Sequence, residues 1–377
     1  MSGHAPPDFV CLGESMVTFL PSRPGRLADV PSFARAIGGA ESNVACALAA
    51  AGHRVRWVGR VGRDGFGHHL VETIGAYGVD VAAVGRDPHR PTGVYFRTAD
   101  DRATEAHEVV YYRAGSAASA MSPATVPYDS VADGRVLHLT GITAALSADC
   151  LALVRELTAP RPGRPLVSFD VNHRPALWRD GAAPEVLLEL ARRADLVFVG
   201  ADEAEALWGL REPGEIREVL AGPAVLVVKQ GGEGAVAFER CAASFPTPPL
   251  PEPGALRPDP RASNAGGADH DTVTTVPAPR VDVLAPVGAG DAFAAGFLSA
   301  TLRGLGMTER LRHGHLMAAA ALTVPGDVAV PPRRAHADRL AALDADAWGT
   351  LHLGPGWTGR DQEGPDRTGD DQEVRTP

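Results

Sequence analysis

The chain has 377 residues, of which 45% are hydrophobic and 22% are charged, a composition typical of one large globular domain or two modest ones. A formal net charge of -10 argues against nucleic acid or an anionic membrane as a partner. The four cysteines lack CxxC spacing, and no apolar run approaches the ~18 residues of a membrane span. The sequence therefore predicts a cytoplasmic protein without zinc, disulfides or a membrane anchor.

Short apolar runs alternate with helical patterns along the chain. We expect a first strand at 8–12, a helix at 40–51, a strand at 54–62 and a helix at 66–77. Four more predicted strands lie at 136–141, 165–172, 196–200 and 224–232. This alternation predicts an α/β fold with a doubly wound, mainly parallel sheet flanked by helices. Polar residues at the carboxyl ends of the strands are the candidate site residues, because ligands bind there in such sheets.

Two segments differ from the rest in composition. Residues 243–279 are rich in Pro, Ala, Gly and Asp, and residues 354–377 contain the near-repeat TGRDQE and TGDDQE. Neither segment has enough large apolar side chains to form a core. We predict a disordered insert at about 243–279 and a disordered tail at 354–377.

The most informative motif is the string VGAGDAFAAGFLSATLRG, which begins at residue 287. Gly288, Ala289 and Gly290 precede a helix that is predicted to start at Asp291 and to end at Gly304. Small residues let a ligand approach the backbone, and the free N–H groups at a helix start bind anions. This arrangement suits phosphoryl transfer, with the loop amides stabilising the transferred group and Asp291, kept ionised by the helix dipole, accepting the proton of the attacking hydroxyl. On spacing alone, an Asp that merely caps a helix explains the pattern equally well.

The string resembles the GAGD signature of the ribokinase-like (phosphofructokinase-B) carbohydrate kinases. A second signature of that family, GGAESN at 38–43 followed by GRVGRDGFG at 59–67, lies in the same order and at the expected distance. The resemblance implies an ATP- and Mg²⁺-dependent sugar kinase domain over about 8–335, with a small β-sheet lid formed from about 15–37 and 90–115. Neither a P-loop nor a protein-kinase catalytic loop is present in the sequence.

The resemblance also implies a nucleotide site. Lys229, the only lysine of the chain, starts the segment KQGGEG, and the equivalent turn of the family lies beside the nucleotide. Lys229, Gly231 and Gly234 therefore join Gly288 and Gly290 as candidate nucleotide-binding residues, although an ordinary turn is the alternative interpretation of the segment.

Two positions depart from the family pattern at the expected metal sites. Glu203 matches the glutamate of an NxxE motif that organises magnesium and phosphate through water, but Gly200 replaces the Asn. Ala285 replaces an Asp that in many members contributes to a monovalent-cation site. The resemblance thus implies an outer-shell role for Glu203 and leaves dependence on K⁺ open.

Three further strings, YYRAGSA from residue 111, LHLTGI from 137 and DVNHRPALW from 170, resemble 2-keto-3-deoxygluconate kinases. Their substrate is a sugar acid, whose carboxylate needs a cation, and Arg113 and Arg174 can supply bidentate donors. The candidate substrate-binding residues are Gly38, Gly39, Asn43, Tyr95, Tyr111, Arg113 and Arg174. The alternative for each arginine is a surface charge in an arginine-rich chain.

The expected reaction is transfer of the ATP γ-phosphoryl group to the C6 hydroxyl of 2-keto-3-deoxygluconate. A fructokinase is the nearest alternative, because the DxNxRxxLW pattern around Arg174 also occurs in fructokinase-like members. A non-catalytic sugar-binding regulator would not need Asp291, and a nucleoside kinase would not suit Arg113 and Arg174. The expected partners are a small sugar acid, ATP and further copies of the chain in a homo-oligomer.

Overall fold

A computed structural model describes residues 6–23, 25–98, 108–178, 181–240 and 271–359. The strands are β1 Phe9–Leu12, β2 Met16–Pro21, β3 Phe33–Gly38, β4 Val55–Val58, β5 Arg60–Gly62, β6 Gly85–Asp87, β7 Val94–Arg97, β8 Val109–Tyr112, β9 Val136–Thr140, β10 Leu166–Asp170, β11 Leu196–Gly200, β12 Val225–Lys229, β13 Gly234–Arg240, β14 Asp271–Pro277, β15 Arg280–Val281 and β16 His352–Leu353.

The helices are α1 Ala40–Ala50, α2 Gly65–Ala76, α3 Asp129–Ala132, α4 Gly141–Ala145, α5 Ala148–Thr158, α6 Ala183–Arg193, α7 Ala201–Trp208, α8 Pro213–Val219, α9 Ala289–Leu302, α10 Met307–Leu322, α11 Arg334–Ala341 and α12 Ala345–Gly349. Each predicted strand and helix named above has an observed counterpart, although the predicted strand at 54–62 is divided into β4 and β5. Within the described residues no helix is both long and apolar enough to cross a membrane.

The large sheet has the strand order β14-β13-β12-β11-β10-β9-β1-β4 within the described residues. Neighbouring strands from β4 to β12 are parallel, and β13 and β14 extend one edge in antiparallel fashion. Every residue of β1 and of β11 is buried, because helices cover both faces of a parallel sheet. One hydrophobic cluster packs α1, α9 and α10 on one face, and a second packs α5 and α6 on the other. The predicted α/β fold with a mainly parallel sheet is confirmed.

A small sheet with the order β3-β2-β7-β8 lies beside the large one. Its strands pair antiparallel except for β2 and β7, which are parallel. They come from the two segments of chain expected to form a lid. One face of the sheet carries Thr18, Tyr95 and Tyr111, which are adjacent across β2, β7 and β8.

The order of the large sheet reverses at β1, which lies between β9 and β4. Strand β4 follows β1 on one side, and the chain then continues on the other side with β9 and β10. Such a switch point leaves a crevice at the carboxyl ends of the strands. Glu14, Thr140 and Asp170 stand at these ends of β1, β9 and β10.

Two segments expected to be disordered contain ordered structure, and the chain folds further than the kinase domain expected over about 8–335. The insert expected at 243–279 includes strand β14, which pairs with β13. The Thr and Val residues of β14 suit an edge strand. The residues of the expected insert up to 270 lie outside the described residues. The chain continues to fold beyond residue 335, because α11 and α12 follow and Trp348 is buried in the core. The tail expected from 354 begins with a turn in which Trp357 packs on the same core, while 360–377 lie outside the description.

Candidate active site

The loop before α9 has the geometry expected of an anion site. Gly288 has φ of 80° and precedes the first residue of the helix. A Cβ at Gly288 would lie 2.2 Å from the carbonyl oxygen of Asp327, so both the left-handed backbone and the close packing require glycine there. The helix begins at Ala289 and ends at Leu302, not at the predicted Asp291 and Gly304. Asp291 is therefore the third residue of α9, within the first turn, where N–H groups have no helical acceptor.

Asp291 is partly buried and is held by Asn43 from the first turn of α1. The Nδ2 amide of Asn43 donates a hydrogen bond of 2.9 Å to Oδ2 of Asp291. Burial raises the pKa of Asp291 to about 7, and Asp170 adds to this, while the Asn43 hydrogen bond, Arg174 and Lys229 act in the opposite direction. The helix dipole was expected to keep this carboxylate ionised, but desolvation outweighs it. The result is a carboxylate whose pKa suits a general base near neutral pH.

Lys229 lies next to the loop at the carboxyl end of β12. Its Nζ donates to both carboxylate oxygens of Asp170, at 2.8 and 3.1 Å, and would be 3.7 Å from a Cβ placed on Gly290. Burial lowers the pKa of Lys229, but Asp170 and Glu203 outweigh burial, and the pKa is raised overall. A protonated amine therefore faces the same space as the loop.

The two glycines of the turn after Lys229 have distinct structural reasons. Gly231 has φ of 57° in the turn between β12 and β13. Gly234 has φ of 137°, and a Cβ there would lie 2.3 Å from the carbonyl oxygen of Val276 in β14. Both positions thus need glycine to form the turn and to pack the edge strand, which does not itself test their predicted nucleotide contacts.

Glu203 lies in the first turn of α7, behind Lys229. Its Oε1 accepts the N–H of His173 at 2.9 Å, and its Oε2 accepts the N–H of Gly200 at 2.8 Å. Burial raises the pKa of Glu203, and Lys229 acts against this shift. Across the described ranges, no group of three or more His, Cys, Asp and Glu side chains has the arrangement of a metal site.

The candidate sugar residues of the small sheet are mostly engaged by the protein itself. The hydroxyl of Tyr95 donates to Oδ2 of Asp327 at 2.7 Å, and a Cβ on Gly38 would overlap both groups. Gly39 packs as closely on the backbone of the segment after β1. Tyr111 is 48% exposed, with its ring centroid 5.4 Å from that of Tyr95. The Tyr111 ring is therefore accessible to solvent, whereas the Tyr95 hydroxyl already has an acceptor.

The two candidate arginines differ in their surroundings. Arg113 is nearly buried and forms an ion pair with Glu14, which is 2% exposed and also accepts the hydroxyl of Ser116 at 2.6 Å. Arg174 is exposed, and its Nη1 donates to the neighbouring carbonyl of His173 at 3.2 Å. Arg174 makes no ion pair with any residue that the structure describes, although its charge helps to lower the pKa of Asp291.

Four acidic residues near the site were missed by the sequence analysis. Glu14 follows β1 and Asp170 ends β10, so their positions at the carboxyl ends of apolar strands were a usable signal. Glu41 is fully buried below the site and accepts the hydroxyls of Thr140 and Thr143, both at 2.7 Å. Asp327 lies in a loop after α10, far from every motif in sequence, and no local pattern indicates it.

A carboxylate with a pKa of about 7 in the first turn of a helix, on this doubly wound sheet with its small companion sheet, has the arrangement of a carbohydrate kinase of the ribokinase-like fold. The chain matches the model of the pfkB family carbohydrate kinases over residues 7–253 and 262–334 and belongs to that family.

Individual relatives agree with this assignment. The chain is 33% identical over 342 residues to a 2-dehydro-3-deoxygluconokinase of Bacillus subtilis (strain 168), covering 89% of this chain and 96% of the relative. It is 33% identical over 341 residues to an enzyme of the same name from Thermoproteus tenax, covering 89% and 94%. The crystal structure of a PfkB protein from Polaromonas sp. JS666 superposes with a TM-score of 0.71 at 32% identity, covering 89% of this chain and all of that one.

Proposed function

We propose that this enzyme transfers the γ-phosphoryl group of ATP to the C6 hydroxyl of 2-keto-3-deoxygluconate, which is the same compound as 2-dehydro-3-deoxygluconate. The observation that carries the proposal is Asp291, a partly buried carboxylate with a pKa of about 7, held by Asn43 beside Lys229 and the Gly288 loop. Two relatives that bear the name of this activity support the choice of sugar.

The phosphate side fits a nucleoside triphosphate. The small residues Gly288, Ala289 and Gly290 leave the backbone of the loop accessible, and the N–H groups of the helix start favour an anion. Lys229 adds a positive charge at the same place. These groups would hold the β- and γ-phosphates and stabilise the charge that develops on the transferred group.

Glu203 suits an outer-shell role toward Mg²⁺. Each of its carboxylate oxygens already accepts one backbone N–H, which fixes its position and leaves one lone pair on each oxygen for a water. Mg²⁺ bound to the phosphates would neutralise part of their charge. Dependence on K⁺ and a homo-oligomeric state stay predictions.

The ionised form of Asp291 acts on the attacking hydroxyl. Its Oδ2 accepts the Asn43 amide, which orients the carboxylate and leaves Oδ1 to accept the C6 hydroxyl proton. The oxygen of that hydroxyl then attacks the γ-phosphorus, and ADP leaves. A pKa of about 7 makes the carboxylate a strong enough base to assist this transfer while most of it is ionised above pH 7.

The arginines support a sugar acid over a neutral sugar. Arg174 offers a guanidinium without an ion pair among the described residues, and a substrate carboxylate would supply the missing partner. Arg113 can still donate from its remaining N–H groups, although Glu14 already balances its charge. A fructokinase remains the second candidate, because a balanced Arg113–Glu14 pair suits the hydroxyls of a neutral ketose as well.

The test is a substrate panel. Wild-type enzyme, ATP and Mg²⁺ are combined with 2-keto-3-deoxygluconate, gluconate, fructose and ribose, and ADP release is followed in a coupled assay. We expect kcat/KM to be highest for 2-keto-3-deoxygluconate, with the phosphate on C6 of the product by NMR. A higher kcat/KM for fructose would replace the sugar acid with the fructokinase assignment, and no ADP release with any sugar would contradict the role of Asp291 as well.

A further inference from the structure

Asp327 connects the small sheet to the rest of the site, and none of the sequence motifs includes it. Its side chain is 3% exposed. Oδ2 accepts the Tyr95 hydroxyl at 2.7 Å, and Oδ1 accepts Nη2 of Arg97 at 3.1 Å. Tyr95 and Arg97 are two residues apart on β7, so both project from the same face of the small sheet. Nη2 of Arg97 also donates to the carbonyl of Pro325, 2.9 Å away, which ties the strand to the loop of Asp327.

The backbone of Asp327 lies against the phosphate loop. Its carbonyl oxygen would be 2.2 Å from a Cβ on Gly288, the residue that precedes the helix of Asp291. Asp327 and Asn43 also line one small cavity together with Ala292 of the same helix. Asp327 therefore contacts the small sheet, which is expected to hold the sugar, and Gly288 of the loop expected to hold the phosphates. It also lines the cavity beside Asn43, which orients Asp291.

These contacts are costly to break separately. The Arg97 side chain is only 4% exposed, so movement of β7 away from Asp327 would leave a buried guanidinium and a buried carboxylate without each other. The Tyr95 hydroxyl would also lose an acceptor that is charged, and burial together with Asp327 already raises the pKa of Tyr95. The small sheet, Asp327 and Gly288 should consequently move as one unit.

We propose that Asp327 is a positioning residue that couples sugar binding at the small sheet to nucleotide binding at the Gly288 loop. It acts through Tyr95 and Arg97 on one side and through its main-chain contact with Gly288 on the other, and it does not touch the reacting atoms. A sugar that fixes the small sheet thereby fixes the loop that receives the phosphates. The inference goes beyond the identity of the sugar, and it rests on the proposed nucleotide site at Gly288.

The test measures coupling between the two ligands. Calorimetry gives the Kd of the Mg²⁺ complex of β,γ-methylene-ATP with and without a saturating concentration of the sugar that wild type phosphorylates. Wild type should bind the nucleotide at least about fivefold more tightly with sugar present, the lower end of typical couplings. Asp327→Asn should reduce this ratio to below about twofold, while its Kd for the nucleotide alone stays within about threefold of wild type.

Asp271→Asn is the matched control. Asp271 forms a similarly short ion pair with the nearly buried Arg217, at 2.6 and 2.8 Å, at the edge of the large sheet. Its substitution should keep the wild-type coupling ratio. Arg97→Gln removes the charge and should lose most of the coupling. Arg97→Lys keeps the charge and should lose only part of it. Tyr95→Phe keeps the Arg97–Asp327 ion pair and should lower the coupling ratio by about twofold. It replaces Asp327→Asn as the test if that variant does not fold.

Several results would overturn the proposal. The first is a coupling ratio near one in wild type. The second is a wild-type ratio in folded Asp327→Asn or, if that variant does not fold, in both Tyr95→Phe and Arg97→Gln. The third is a loss of coupling in Asp271→Asn as large as that in Asp327→Asn. The outcome is separate from the identity of the sugar, since the ratio is measured with whichever acceptor is phosphorylated. If fructose replaces the sugar acid as acceptor, the proposed function is corrected and the coupling is still tested.

Discussion

The proposed phosphate side of this site, at Asp291 and Lys229, and its proposed sugar side, at the small sheet, are built in different ways. On the phosphate side, the base is left ready to act, because Asp291 has a pKa of about 7, whereas the protonated Lys229 beside the Gly288 loop already pairs with Asp170. On the sugar side, the polar groups are largely satisfied by the protein, because Arg113 pairs with Glu14 and the Tyr95 hydroxyl donates to Asp327. The phosphate side is thus prepared for chemistry, and the sugar side is prepared for shape and position.

The two sides should also contribute differently to the stability of the fold. A desolvated carboxylate such as Asp291 is unfavourable for folding wherever it is ionised, so the phosphate side should cost stability. The buried pairs of the sugar side keep their geometry because separating the two partners would leave each of them buried without a hydrogen-bonding or charged partner, which is unfavourable. Substitutions on the phosphate side should therefore affect kcat with little loss of stability, whereas those in the buried pairs of the sugar side, such as Arg113 with Glu14, should affect substrate selection and the fold together.

The largest effect is expected from Asp291→Asn. We expect kcat to fall by on the order of 10²–10⁴, because the proposed acceptor of the hydroxyl proton is lost while the loop and Lys229 remain. The measurement is steady-state kinetics with saturating ATP and sugar. Near-wild-type turnover in this variant would remove the proposed mechanism.

The next effect distinguishes the two arginines. Arg174→Ala should lower kcat/KM for the sugar acid by roughly 10- to 150-fold, the value of a charge-assisted hydrogen bond of ~1.5–3 kcal/mol. Arg113→Ala should cost a similar amount on the acid but should also lower the melting temperature, because it leaves Glu14 buried without its partner.

A neutral ketose such as fructose is the control for both arginine variants. If it is turned over at all, its kcat/KM should fall much less than that of the acid in Arg174→Ala, and Arg174→Lys should restore only part of the loss. Equal losses on acid and ketose would show that Arg174 does not bind the carboxylate.

A smaller effect is expected from Asn43→Ala. The Asn43 hydrogen bond lowers the pKa of Asp291, so its removal should raise that pKa by about one unit, the equivalent of a hydrogen bond of ~1.5 kcal/mol. The base is active when ionised, and the acid limb of the kcat/KM profile should therefore move to higher pH. A limb that stays in place would show that Asn43 does not tune the base.

The smallest effect concerns stability. Because the folded-state pKa of Asp291 lies above its usual value, the ionised form is penalised in the fold; this penalty is absent below pH 4 and complete above pH 7. Asp291→Asn should therefore raise the melting temperature by a few degrees at pH 8 and by less at pH 5. Thermal melts at the two pH values measure the difference, and a variant that is less stable at pH 8 would contradict the desolvation of Asp291.

The sequence predicts the phosphate side better than the sugar side for a physical reason. The loop at Gly288–Gly290 and Asp291 are neighbours in the chain, and their function depends on local helix geometry. Strands β1 and β11 were also predictable, because fully buried strands are continuous apolar runs. The acceptors of Tyr95 and Arg113 are more than 90 residues away in sequence, so only tertiary packing brings these groups together.

The boundaries failed where composition was the only guide. Strand β14 has few large side chains and is held by its pairing with β13, which composition does not reveal. The raised pKa of Asp291 was missed similarly, because the helix dipole is visible in the sequence and desolvation is not.

The central claim is that Asp291 is the base, and the most direct measurement is the pH dependence of kcat/KM in wild type and in Asp291→Asn. Wild type should show an acid limb with an apparent pKa near 7, the value that burial gives this carboxylate. The residual activity of Asp291→Asn should lack that limb. The same limb in both enzymes would contradict the account, because it would assign the proton transfer to another group.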